Sequence, residues 1–164
     1  MKATSALLAL GLLTSVVAKS ATSFVVGRAI SEYDDVRIEP TPEEVCPPDT
    51  ICLFGWSRWT LDIDRSLVGP AVQGRIHAVH MQHTTHNRAY FRRLHHFALE
   101  FLADPSERKR LHADYKLLDF LDEKRMLCTN VDPKGSGIPT DDIYAGTGED
   151  SYKFCFADPG YRDK

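Results

Sequence analysis

Hydrophobic and polar positions alternate most regularly between Ile51 and His86. From Trp59 the odd positions Trp59, Leu61 and Ile63 are apolar, while Arg58, Thr60, Asp62 and Asp64 between them are polar. Successive side chains of an extended strand point to opposite faces, so this alternation predicts a half-buried strand. Leu67-Val68-Gly69-Pro70 reads as the turn that ends it. A second strand is predicted over 74–84, where the apolar Ile76 and Val79 have opposite parity and so demand a bulge or burial on both faces.

Beyond this pair the pattern is less regular. Phe97, Leu99 and Phe101 alternate as in a strand, whereas Phe91, Leu94, Ala98 and Phe101 fit one stripe of a helix. The strand is preferred over 91–102, because aromatic residues suit a pleated surface and two strands need a third. Asp104-Pro105-Ser106-Glu107 then signals a helix start, with Asp104 as cap, Pro105 at the first helical position and Glu107 placed to reach back. A short helix over 105–113 follows. Residues 115–121, 126–131 and 152–156 are further strand candidates, the last two separated by a Gly-rich loop over 132–151. Residues 19–50 read as an acidic, Pro-rich lead-in with little core, containing one short strand over 22–30. Its remainder holds seven acids and four prolines (Pro40, Pro42, Pro47, Pro48) between Glu32 and Thr50, a composition that predicts an exposed or loosely packed segment.

The elements predict a mainly β fold, a small, partly open OB-like barrel of five or six strands over 51–164 with one short helix. The run Trp59-Thr60-Leu61-Asp62-Ile63, the turn Leu67-Val68-Gly69-Pro70 and Gly74-Arg75-Ile76 resemble secreted OB-like domains of the netrin and metalloprotease-inhibitor type. The resemblance implies the barrel. Inhibitory activity is not carried over, because that family opens its mature chain with a cysteine where Lys19 stands here.

The N-terminus predicts export. Met1-Lys2 gives a short positive start, and the apolar run Ala6–Val17 has the length of a secretory h-region. It falls short of the roughly 20 apolar residues that span a bilayer. Small residues at Val16 and Ala18 place cleavage after Ala18, making 1–18 a signal peptide and the protein periplasmic or extracellular. The whole chain carries a formal charge of −3, which becomes −4 without Lys2. That balance argues against a nucleic-acid partner. The charge is uneven, however. Residues 75–112 carry seven Arg and Lys against three acids, a basic face that includes Arg75, Arg92 and Arg93. With Trp56 and Arg58 these form a candidate ligand surface for a protein or glycan partner.

An oxidising compartment turns Cys46, Cys52, Cys128 and Cys155 into disulfide candidates. Cys46 with Cys52 and Cys128 with Cys155 is one connectivity. Cys52 with Cys128 or Cys155 is equally compatible with the spacing. The spacings lack the C-x2-C pairs of thiolate zinc sites.

Six of the seven histidines fall between residues 77 and 96. On a strand, His77 and His83 share one face and His80 and His86 the other. Same-face neighbours six apart stand about 20 Å from each other and cannot bind one ion alone. A metal site therefore needs His95 or His96 from an adjacent strand, giving His77, His80, His83, His95 and His96 as candidate ligands for Zn or Cu. Asp62 and Asp64 share a strand face and form a candidate carboxylate pair, although their alternation with core residues makes them solvent-facing charges first. There is no G-x-S-x-G, and oxidised cysteines offer no thiolate. The reading is an exported binding or accessory protein that needs no cofactor. A periplasmic metal-binding protein and a hydrolase with dispersed residues are the alternatives.

Overall fold

The alternating segment forms β2 (Gly55–Val68), which pairs antiparallel with β3 (Gly74–Gln82) in unbroken register from Gly55↔Gln82 to Ile63↔Gly74. The computed structural model describes residues 22–31, 38–45, 48, 55–82, 92–133, 136–145 and 153–162. Trp59, Leu61 and Ile63 are buried, as their parity requires. With no bulge between β2 and β3, the opposite parity of Ile76 and Val79 resolves as burial on both faces. Ile76 packs against the main core with Trp59 and Leu61, whereas Val79 packs outward against Leu102, Leu111 and Ala113.

The protein is mainly β. Five strands close into a ring in the order β1-β2-β3-β5-β4, with β1 at Thr22–Ser31, β4 at His95–Phe101 and β5 at Tyr115–Asp122. The ambiguous 91–102 segment is thus a strand over His95–Phe101. Four seams of the ring are antiparallel. The fifth, β3 to β5, is parallel and consists only of Ala78↔Tyr115 and Val79↔Lys116. The His80 ring extends that seam, its Nδ1 donating to the Leu117 carbonyl at 2.9 Å.

β1 is no lead-in. It pairs with both β2 and β4, and Phe24, Val25 and Val26 are wholly buried. Val25 belongs to the main core with Trp59, Leu61, Phe97 and Leu99, and Phe24 to an outer layer with Ala98, Leu127 and Phe156. An uninterrupted apolar triplet is what a strand covered on both sides needs. The β1–β2 ladder shifts register at Val26/Gly27, where the backbones come so close that a Cβ on Gly27 would stand 2.5 Å from the Asp62 carbonyl. The rest of the lead-in, where described, is exposed or half-buried as its composition indicated, but it is anchored at two points. Ile38 joins the cluster around Val79 and Leu111, and Glu44 accepts from the Thr41 amide, the Trp56 indole and Arg110.

The helix α1 (Pro105–Leu111) follows Asp104, whose carboxylate caps it by accepting from the Ser106 amide at 2.8 Å. It ends at His112, which takes a left-handed backbone with φ 51°. A second, three-stranded sheet in the order β6-β8-β7 lies against the outside of the ring, through β6 (Met126–Thr129) and β8 (Phe154–Ala157). The short β7 (Tyr144–Ala145) falls inside the segment expected to be a loop. Cys128 and Cys155 face each other in the β6–β8 register and are disulfide-bonded, which rules out a bond from Cys52 to either. Cys46 and Cys52 lie outside the described residues, as do 1–18. No helix among the described residues is long and apolar enough to cross a membrane.

Candidate functional site

The described histidines are positioned by strand parity and are not brought together. His77 points out of β3 toward Thr60, with Nδ1 3.3 Å from its hydroxyl. His80 points inward, stacking edge-on against Trp59 and Phe120. The cross-strand partner that a metal site required is missing for a topological reason: β5 lies between β3 and β4 in the ring. On β4 itself, adjacent residues face opposite ways. His95 packs beside Phe97, and His96 turns to Asp158. No group of three or more potential ligands forms among the described residues. His83 lies outside them.

The candidate ligand surface also divides. Trp56 is half-buried, its indole donating to Glu44 at 2.9 Å and Lys116 resting over its ring. Arg58 reaches across to the His112 carbonyl at 3.3 Å. Both belong to the side of the ring covered by α1. Arg75 sits across from Asp62 at the start of β3, and Asp62 in turn lies across from Arg28 on β1. Asp62 and Asp64 are therefore outward-facing charges, as their alternation indicated. Arg92 and Arg93 are elsewhere again, in the turn before β4.

Two features not foreseen from sequence meet where β4 begins and β5 ends. The first is a buried ionic cluster around Asp158, just past β8. Arg65 grips both carboxylate oxygens, Nη1 to Oδ1 and Nη2 to Oδ2, each at 2.8 Å. His96 Nε2 donates to Oδ2 at 2.9 Å, and the Gly160 amide donates to Oδ1 at 2.9 Å. Burial pushes the Asp158 carboxyl up, but the bonds from Arg65, His96 and Gly160 outweigh it and hold the group below the usual carboxylate range. The same contacts raise Arg65, Asp158 foremost. Arg65 Nη2 also reaches Glu123 at 2.8 Å.

The second feature is an open cleft of about 420 Å³ lined by Arg28, Arg92, Arg93, Leu94, Asp122 and Glu123. Each lining residue is placed by the ring: Arg28 from β1, Asp122 from the end of β5, and Leu94 beside it through a bond from the Glu123 amide to the Leu94 carbonyl at 3.4 Å. The three arginines are exposed and form no ion pair with a described carboxylate. Of the two carboxylates of the cleft, by contrast, Glu123 is ion-paired from behind while Asp122 is exposed. Arg65 holds Glu123, and the fully buried His95 brings Nδ1 within 3.5 Å of Asp122. The cleft thus offers free guanidinium groups to an oxyanion, which they can bind in a bidentate fork. Only Arg92 and Arg93 of this lining stood out in the sequence; Arg28, Asp122 and Glu123 are 29 or more positions away and carry no local signal.

No family model, no curated protein and no solved structure matches the chain.

Proposed function

We propose that the protein is an exported binding or accessory protein rather than an enzyme, engaging its partner through the arginine cleft. The observation that carries this reading is the asymmetry of the cleft: its three arginines form no ion pair with a described carboxylate, while Glu123 is held from behind by Arg65. Most other conspicuous ionisable groups serve the fold. Asp158, Arg65, Glu44 and Arg110 bridge segments far apart in the chain. The signal-like N-terminus and the Cys128–Cys155 bond both suit an oxidising, extracytoplasmic setting.

Two experiments test the reading. N-terminal sequencing of protein secreted from the full chain should begin at Lys19; retention of residues 1–18 would overturn export. Chemical cross-linking of the secreted protein in its native fluid should yield a partner that Arg92→Glu loses. Lys109→Glu, the same charge change on the exposed face of α1, should keep it. Equal capture by both variants would overturn the cleft as the interface.

A further inference from the structure

We infer that the cleft is a binding site for a sugar-sized ligand carrying phosphate or sulfate esters alongside free hydroxyls. This rests on the reading of the cleft as the functional surface and adds the ligand's chemistry. Four features of the lining lead to it.

Size is the first. A cleft of about 420 Å³ lies in the range that holds small molecules, roughly 300–1,000 Å³. Second, all three cations are arginines, whose planar fork matches the geometry of an ester oxyanion better than the point charge of lysine. Third, among the described residues Leu94 is the sole apolar member of the lining and no aromatic ring lines it, so recognition proceeds by charge and hydrogen bonding rather than stacking. Fourth, the opposite wall is made of acceptors. Asp122 and Glu123 remain acceptor-only groups when ionised and suit hydroxyl donors. The wall does not cancel the arginines, because three guanidinium groups face two carboxylates and Glu123 is paired from behind with Arg65.

One position of the acceptor wall is also fixed in advance. Asp158 locks Arg65 from beneath through two bonds at 2.8 Å, and Arg65 locks Glu123. A bare inorganic anion would satisfy the arginines and leave the acceptor wall facing it with like charge. A hydroxylated ester satisfies both walls.

Calorimetric titration of the purified full chain at low salt tests this, using glucose 1,6-bisphosphate and glucose 3,6-disulfate against inorganic phosphate and sulfate. At least one sugar ester should bind ten times or more tightly than its inorganic anion, and the tighter of the two names the ester. Arg92→Glu and Arg93→Glu should each weaken that binding at least tenfold, with Lys109→Glu within twofold of the parent. Thermal unfolding of all three variants shows that the comparison is between folded proteins. Absence of heat with both esters, equal affinity for the inorganic anions, or equal loss in Lys109→Glu would overturn the site. If both esters fail while Arg92→Glu still loses its cross-linked partner, the ligand class is wrong and the binding-protein reading stands.

Discussion

His96 and Asp158 are 62 positions apart in the chain, yet Nε2 and Oδ2 are 2.9 Å apart and neither side chain reaches solvent. The bond joins β4 of the ring to the segment just after β8 of the small sheet. With Arg65 of β2 on the other side of the carboxylate, one residue ties three elements. It also reaches one wall of the cleft, since Arg65 continues to Glu123.

Asp158→Asn should therefore destabilise the protein by about 3 kcal/mol, the low end for breaking a buried pair, because Arg65 keeps Glu123 and some solvent. Urea unfolding measures this directly. A change under about 1 kcal/mol would show that the cluster contributes little beyond an apolar packing of the same shape.

The same cluster gives stability a pH dependence of definite sign. Asp158 is held below its ordinary 3.8, and Glu44 below its ordinary 4.5 because the Thr41 amide, Trp56 and Arg110 outweigh its burial. A carboxyl with a depressed folded pKa contributes its full stabilisation above the unfolded pKa and loses it as pH falls through the folded value. Stability should then hold between about pH 7 and 5 and decline below about pH 4. Asp158→Asn and Glu44→Gln should each decline less steeply than the parent protein. Urea midpoints at neutral and acidic pH decide it; parallel curves for parent and variants would refute the assignment.

Gly27 and Gly55 make a controlled pair. A Cβ at Gly27 would meet the Asp62 carbonyl at 2.5 Å and the Ile63 Cα at 3.1 Å, both backbone atoms fixed by the β1–β2 ladder. At Gly55 it would meet nothing within 4 Å. Gly27→Ala should cost about 1–3 kcal/mol as overpacking, whereas Gly55→Ala should be close to neutral. Comparable thermal shifts in the two would mean that β1 can move away from β2.

How much of this could be read from the sequence depends on the range of the signal. Strand existence was legible because alternation is local: Trp59, Leu61 and Ile63 announce β2, and Asp104-Pro105 announces α1. The Phe24-Val25-Val26 triplet was legible too, but the acidic and Pro-rich residues after it drew the whole segment into a lead-in. The histidines misled by proximity in sequence. Spacing on one strand brings His77 and His80 to opposite faces, and only the ring order shows that β5 separates them from His95 and His96. The cluster at Asp158 and the cleft are built from residues tens of positions apart, which no window along the chain can group.

The disulfide and the Asp158 cluster should prove energetically coupled, since both hold β8. Cys128 and Cys155 close a span of 27 residues, for which loop entropy gives about 3.5 kcal/mol. The bond fixes β8 to β6, and β8 ends at Ala157, immediately before Asp158. Replacing both cysteines with serine loosens β8, so the carboxylate is held less firmly against Arg65 and His96 at the outset. Asp158→Asn should accordingly cost at least about 1 kcal/mol less in the Cys128→Ser/Cys155→Ser background than in the parent, a non-additivity typical of neighbouring groups. A double-mutant cycle by urea unfolding measures the difference. Strict additivity would mean that β8 stays seated on the ring through Phe156 and Phe24 alone, whose rings meet edge-on at 5.1 Å, and that the disulfide acts only on the unfolded chain.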